Sequence, residues 1–197
     1  MSQEPLQEPE LRRPPVDPPQ RPARRSAPSL VLVNTGDGKG KSTAAFGVVL
    51  RAVARGWKVC VIQFLKSGRR RTGEEELGRR LGVDWNPLGD GFTWDAEDLE
   101  ASRAKAVAAW DAARRVLASG DYQLVVLDEI TYPMNWGWIG AGEVADAIRE
   151  RPPTVNVVAT GRDAPAELVE VADTVTEMRK LRHAYDRGVT ARRGLDY

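Results

Sequence analysis

Apolar residues fall into two rhythms along this chain. Short runs such as Leu30-Val31-Leu32-Val33, Val59-Cys60-Val61-Ile62, Leu124-Val125-Val126-Leu127 and Val155-Asn156-Val157-Val158 have the length and β-branched content of strands buried on both faces. Between them, apolar positions recur with a helical period. The pattern predicts strands at 30–33, 58–65, 123–129, 154–160 and 174–178, with a short one at 83–88. It predicts helices at 44–54, 73–82, 96–117, 143–150 and 165–172, and a loop at 131–140 that carries Trp136 and Trp138. The longest helix sets Leu99, Ala106, Trp110, Ala113 and Leu117 on one stripe. Gly56, Gly120 and Pro152-Pro153 supply helix stops. Strand and helix in alternation imply an α/β fold with a mostly parallel central sheet, in the three-layer arrangement of RecA-like P-loop domains.

The pattern is missing from residues 1–28. Eight of the 13 prolines lie there, with no aromatic residue and with acids and arginines mixed. Such a segment buries too little apolar area to offset its ordering entropy, so it reads as a disordered arm before one domain at 29–197. It is either a plain tail or an arm whose C-terminal part orders over a nucleotide, and composition does not choose.

Charge adds an exclusion. Across 197 residues, 29 Lys and Arg against 28 Asp and Glu leave a net charge of +1, which supplies no global field for nucleic acid or membrane. The single cysteine, Cys60, excludes an intrachain disulfide framework and fits a reducing, cytoplasmic setting. It sits inside an apolar run and reads as a buried strand residue. No apolar stretch approaches the ~20 residues that span a bilayer, and the N-terminus lacks the apolar core of a signal peptide.

The first strand leads into Asn34-Thr35-Gly36-Asp37-Gly38-Lys39-Gly40-Lys41-Ser42-Thr43, and then into a helix. Strand, glycine loop and helix form the context of a phosphate-binding loop. Glycines let successive N–H groups turn inward on anionic oxygens, and the helix N-terminus adds its dipole. Lys41 can reach a phosphate and the Ser42 hydroxyl can ligate Mg²⁺. The spacing departs from GxxxxGK[ST]: the first glycine is Gly36, and Thr35 stands where it is usually found.

A later strand ends in Asp128-Glu129, the Walker B arrangement that places a carboxylate beside the phosphate loop to hold Mg²⁺ directly or through water. Gln63, Lys66 and Arg162 fall at strand ends where open α/β sheets bind ligands. Gly91-Phe92-Thr93-Trp94 sets two large aromatics two apart, either as core plugs or as an apolar lid over a flat ligand, with Thr93 or Asp95 as cap of the next helix. Arg69, Arg70 and Arg71 make a basic loop. His183 is the only histidine, so one chain holds no multi-histidine metal site, and no nucleophile elbow appears.

Taken together, these motifs resemble one family. Residues 35–47 are similar to the TGNGKGKTTAAFG loop of P-loop ATP:corrinoid adenosyltransferases. The likeness continues through Gln63-Phe64-Leu65-Lys66, Gly91-Phe92-Thr93-Trp94, residues 126–132, Thr160-Gly161-Arg162, residues 172–178 and 183–189, and the ending Gly194-Leu195-Asp196-Tyr197. It covers roughly residues 29–197. The resemblance implies transfer of the 5′-deoxyadenosyl group of ATP to cobalt(I) of a corrinoid such as cob(I)alamin or cob(I)yrinic acid a,c-diamide, with release of triphosphate. It implies Mg²⁺, an electron donor for cobalt (a flavoprotein or reduced flavin) and a homodimer. Carried over by position, Gly36, Asp37, Gly38, Lys39, Gly40, Lys41, Ser42 and Thr43 bind nucleotide. Lys41, Ser42 and Glu129 carry the chemistry, and Ser42, Glu129 and Asp128 attend the metal. Phe92 and Trp94 close beneath the corrin, which favours the lid reading. Two departures stand out: Ser42 replaces a Thr, and Asp37 replaces an Asn at the loop tip. The other readings are an ATPase or kinase using Glu129, which predicts ADP, and a nucleotide-dependent interaction module docking through Phe92, Trp136 and Trp138.

Overall fold

The computed structural model describes residues 25–66, 72–89 and 99–196. Within them the chain forms β1 (Val31–Thr35), α1 (Lys41–Val53), β2 (Val59–Gln63), α2 (Gly73–Arg80), β3 (Asp84–Pro87) and α3 (Leu99–Ser119). It continues through β4 (Leu124–Asp128), α4 (Thr131–Asn135), α5 (Ala141–Glu150), β5 (Asn156–Thr160), α6 (Ala166–Glu170) and β6 (Thr174–Glu177).

All strand pairs are parallel, in the order β3-β2-β4-β5-β1-β6. Residue alternation sends successive side chains to opposite faces, so each central strand feeds two cores. On one face Val59, Val61, Leu124, Val126 and Val158 pack with Ala45, Phe46 and Val49 of α1 and with Trp85. On the other, Val33, Cys60, Ile62, Val125, Leu127 and Val157 pack with Trp110, Ala113 and Leu117 of α3, Ile148 of α5 and Leu168 of α6. Helices on both faces of one sheet make the three-layer α/β fold that the alternation predicts. Burial pushes the Cys60 thiol up to about 12, as an inert strand residue requires.

The structure revises several boundaries. Helix α1 begins at Lys41, three residues before the periodic pattern, because Gly40 turns the chain with φ 116° and the glycine loop feeds straight into the first turn. Residues 131–140 are not all loop: α4 forms despite Pro133, which occupies a first-turn position whose N–H needs no helical partner. Leu99 leaves the predicted stripe and is 58% exposed, while Ala106, Trp110, Ala113 and Leu117 are buried. The strand predicted to include Glu129 ends at Asp128. Among the described residues no helix is long and apolar enough to cross a membrane. Most of the N-terminal arm, the Arg69–Arg71 loop and the segment with Phe92, Thr93, Trp94 and Asp95 lie outside the described residues.

Candidate active site

The phosphate loop is held from two sides. From within, the Lys41 ammonium donates to the carbonyls of Gly36 and Gly38, each at 2.7 Å, which curls the loop around its own lysine. From outside, the Gly38 N–H donates to the Met178 carbonyl at 2.6 Å, just past β6. This close approach explains two glycines: a Cβ on Gly36 or Gly38 would sit 2.6 Å from the Met178 oxygen. Asn34 fixes the far end by donating to the Lys41 carbonyl at 3.2 Å. Burial, then the neighbouring Arg162 cation, hold the Lys41 ammonium below its ordinary range.

The acidic pair splits into two roles. Asp128 is fully enclosed, and its oxygens accept from Thr160 Oγ1 at 2.8 Å and Gln63 Nε2 at 2.9 Å. Gln63 in turn accepts from Trp85 Nε1 at 2.7 Å. Although Gln63 stands at a strand end where open sheets bind ligands, both ends of its buried amide have partners inside the protein. The Asp128 carboxylate faces protein donors and is 0% exposed, so any part it takes at a metal runs through Glu129 or a bridging water.

Glu129 is the half-buried acid at the surface of this network. Its backbone has φ 63°, a left-handed conformation uncommon for a residue with a Cβ. The strain is held by its N–H, which donates to Thr160 Oγ1 at 2.9 Å. One threonine hydroxyl thus accepts from Glu129 and donates to Asp128, locking the turn that aims the glutamate. Burial first, and the Asp128 charge second, raise the Glu129 carboxyl to about 7, against the opposing pull of Lys66, Lys41 and Arg162.

A second loop completes the rim. Past β5, Gly161 sits so close to α4 that a Cβ there would overlap the Thr131 hydroxyl. Thr131 Oγ1 donates to the Arg162 carbonyl at 2.6 Å, and Asn135 Nδ2 donates to the carbonyls of Arg162 and Asp163 at 3.2 and 3.1 Å. Ala164 N–H donates to Thr35 Oγ1 at 3.0 Å, joining this loop to the start of the phosphate loop. Arg162 is exposed on a pinned backbone, close enough to act electrostatically on Lys41, Glu129 and Tyr132. Tyr132 leads away from the site into an aromatic ladder with Trp136 and Trp138, at centroid distances of 5.7 and 4.7 Å.

The structure therefore gathers Lys41, Glu129, Lys66 and Arg162 at the C-terminal edge of the sheet, with Asp37 at the loop tip. It adds Thr160, Thr131 and Asn135, which periodicity alone did not single out. Phe92 and Trp94 fall outside the described residues.

A family model described as "ATP:corrinoid adenosyltransferase BtuR/CobO/CobP" matches residues 28–197. The chain belongs to this family. It is 43% identical over 168 residues to the Corrinoid adenosyltransferase of Escherichia coli (strain K12), covering 85% of each chain. It is 43% identical over 175 residues to the Pseudomonas aeruginosa protein of the same name, covering 88% of this chain and 86% of that one. The corresponding protein of Sinorhizobium sp is 40% identical over 172 residues, 85% of this chain and 80% of the relative. The match begins at residue 28 and so leaves out the proline-rich arm, while it takes in the glycine loop, the acidic pair and the C-terminal segment that packs on the loop.

Proposed function

We propose that this chain transfers the 5′-deoxyadenosyl group of ATP to the cobalt(I) of a corrinoid, the cobalt being part of the substrate. The observation that carries the reading is the family match across residues 28–197. The site's chemistry agrees with it. Cobalt(I) supplies an electron pair to the 5′ carbon; the C5′–O bond breaks, and its electrons leave with triphosphate. The nucleophile carries no proton, so the protein's work is to align the attack and to neutralise the leaving group. The reading gives that task to Lys41, the loop N–H groups and the N-terminus of α1, which begins at Lys41. Lys66 and Arg162 add two further cations close enough to act on Glu129.

Mg²⁺ fits the donors present. The Ser42 hydroxyl and the Glu129 carboxylate are hard oxygen ligands, and Mg²⁺ typically takes one or two protein oxygens beside phosphates and water. Glu129 is also a carboxyl raised to about 7 by burial next to Asp128, a position that a dication would relieve. When bound, the ion would neutralise charge on the triphosphate. The apolar pair Phe92 and Trp94 is assigned the corrin's lower face, where exclusion of an axial ligand makes cobalt easier to reduce. A homodimer and an external reductant complete the proposal.

The raised carboxyl of Glu129 would also suit a general base, which is what an ATPase or kinase needs. One experiment separates the readings. The protein is mixed without air with Mg²⁺-ATP and chemically reduced corrinoid, absorbance is followed, and the phosphate species are identified. Light-sensitive alkyl-cobalt product with one triphosphate per turnover is expected. ADP and phosphate beside an unchanged corrinoid would overturn it.

A further inference from the structure

The residues after β6 run back across the phosphate loop. The Met178 backbone lies against Gly36 and Gly38, and its sulfur stands 3.3 Å from where a Gly40 Cβ would be. Further along, Lys39 pairs with Asp196 at 2.7 Å. That aspartate is presented by a closed turn: the Arg192 N–H donates to Asp196 Oδ2 at 2.7 Å, and the Asp196 N–H returns to the Arg192 carbonyl at 2.8 Å. The Leu195 N–H donates to the same carbonyl at 3.1 Å. One oxygen of the carboxylate is spent on shaping the turn and the other on Lys39. The loop therefore has an outer wall made of the C-terminal segment, fastened at Met178 and again at Asp196.

Lys39 stands between Gly38 and Gly40, the stretch of backbone with the widest conformational freedom in the loop. A loop that binds phosphate through its N–H groups gains affinity when their directions are set before the ligand arrives. We infer that Asp196 is a positioning residue for triphosphate: acting through Lys39, it fixes the middle of the phosphate loop against the C-terminal turn. This rests on the loop being the triphosphate site of the reaction proposed above.

The sign of one measurement decides the matter. If Asp196 acted only as a charge, removing it would take negative charge away from a site for a polyanion and binding would tighten. If it positions the loop, removing it weakens binding. The experiment titrates Mg²⁺-ATP, and separately inorganic triphosphate, into the full-length chain without corrinoid, comparing wild type with Asp196→Asn, Asp196→Glu, Lys39→Met and the Lys39→Met/Asp196→Asn double variant.

A surface ion pair of this kind sets the scale at about two- to fivefold. Asp196→Asn is expected to weaken both ligands by that factor and to raise KM for ATP more than it lowers kcat. Asp196→Glu recovers part of the loss. In the Lys39→Met background, Asp196→Asn has no further effect. The wild-type to Asp196→Asn ratio shrinks toward one in ~1 M salt, where the screening length falls to about 3 Å. Tighter or unchanged binding in Asp196→Asn overturns the inference, as does an equal loss with Lys39 already removed. A wild-type chain that binds ATP but releases ADP overturns the transfer reading and leaves the Asp196 result standing.

Discussion

Thr160→Val is the most informative single change this structure offers. The substitution is nearly isosteric and removes only a hydroxyl, at a side chain that is 0% exposed. That hydroxyl accepts from the Glu129 N–H at 2.9 Å and donates to Asp128 Oδ1 at 2.8 Å, so valine strands a donor on one side and a carboxylate oxygen on the other. An unsatisfied buried N–H costs about 1–3 kcal/mol, and a lost hydrogen bond to a charged group ~1.5–3 kcal/mol. Asp128 keeps its bond from Gln63, so the two losses do not add fully. A destabilisation of about 2–5 kcal/mol is expected, read as a Tm lower by roughly 5–15 °C in a domain of this size. Thr160→Ser is the control: it keeps the hydroxyl and loses one buried methyl, worth about 1 kcal/mol.

Function should fall further than stability alone explains. Glu129 is held at φ 63° by this same bond, and freeing the turn misdirects its carboxylate. A misplacement of about 1 Å costs up to ~100-fold, so transfer measured well below the variant's Tm should drop about tenfold or more. Chemical denaturation and the anaerobic transfer assay, run on both variants, check the two halves separately. A Thr160→Val protein within 1 kcal/mol of Thr160→Ser, with the same transfer rate, would refute the reasoning.

Other outcomes follow from the same geometry. Glu129 is a carboxyl whose folded-state pKa is raised from 4.5 to about 7, so the folded chain binds its proton more tightly than the unfolded chain does. In ligand-free protein with chelator, stability should therefore fall as pH rises from about 4.5 to 7 and then level off; denaturant titrations of Glu129→Gln should lack that slope. Asp37 places a carboxylate at the loop tip near Lys41, and Asp37→Asn should lower the KM for ATP about two- to fivefold, as the removal of one partly screened like charge predicts. Phe92→Ala or Trp94→Ala should leave ATP titrations unchanged and depress transfer from cobalt(II) substrate with reductant. Equal loss with pre-reduced cobalt(I) would count against their role as the corrin's lower face.

Much of this protein is local and therefore legible in the chain. Each strand of β-branched residues and each glycine-stopped helix is specified by its own few residues, and a phosphate loop is defined by consecutive positions between one strand and one helix. Hence the turn from β1 through the glycine loop into α1, the alternating α/β order and the buried Cys60 could all be read in advance. The order of strands in the sheet could not. Placing β5 between β4 and β1 brings Thr160 beside an acidic pair some thirty residues earlier, and that contact separates Asp128, enclosed as a structural hub, from Glu129, aimed at the site. The same holds for Gln63: at a strand end its amide looks available to a ligand, until Trp85 and Asp128 close on it from neighbouring strands. Met178 and Asp196 reach the phosphate loop only because β6 pairs with β1 and returns the chain to it. Periodicity records which face a residue turns to the core. Which polar groups meet across strands distant in sequence depends on the sheet order, and so only the tertiary structure decides it.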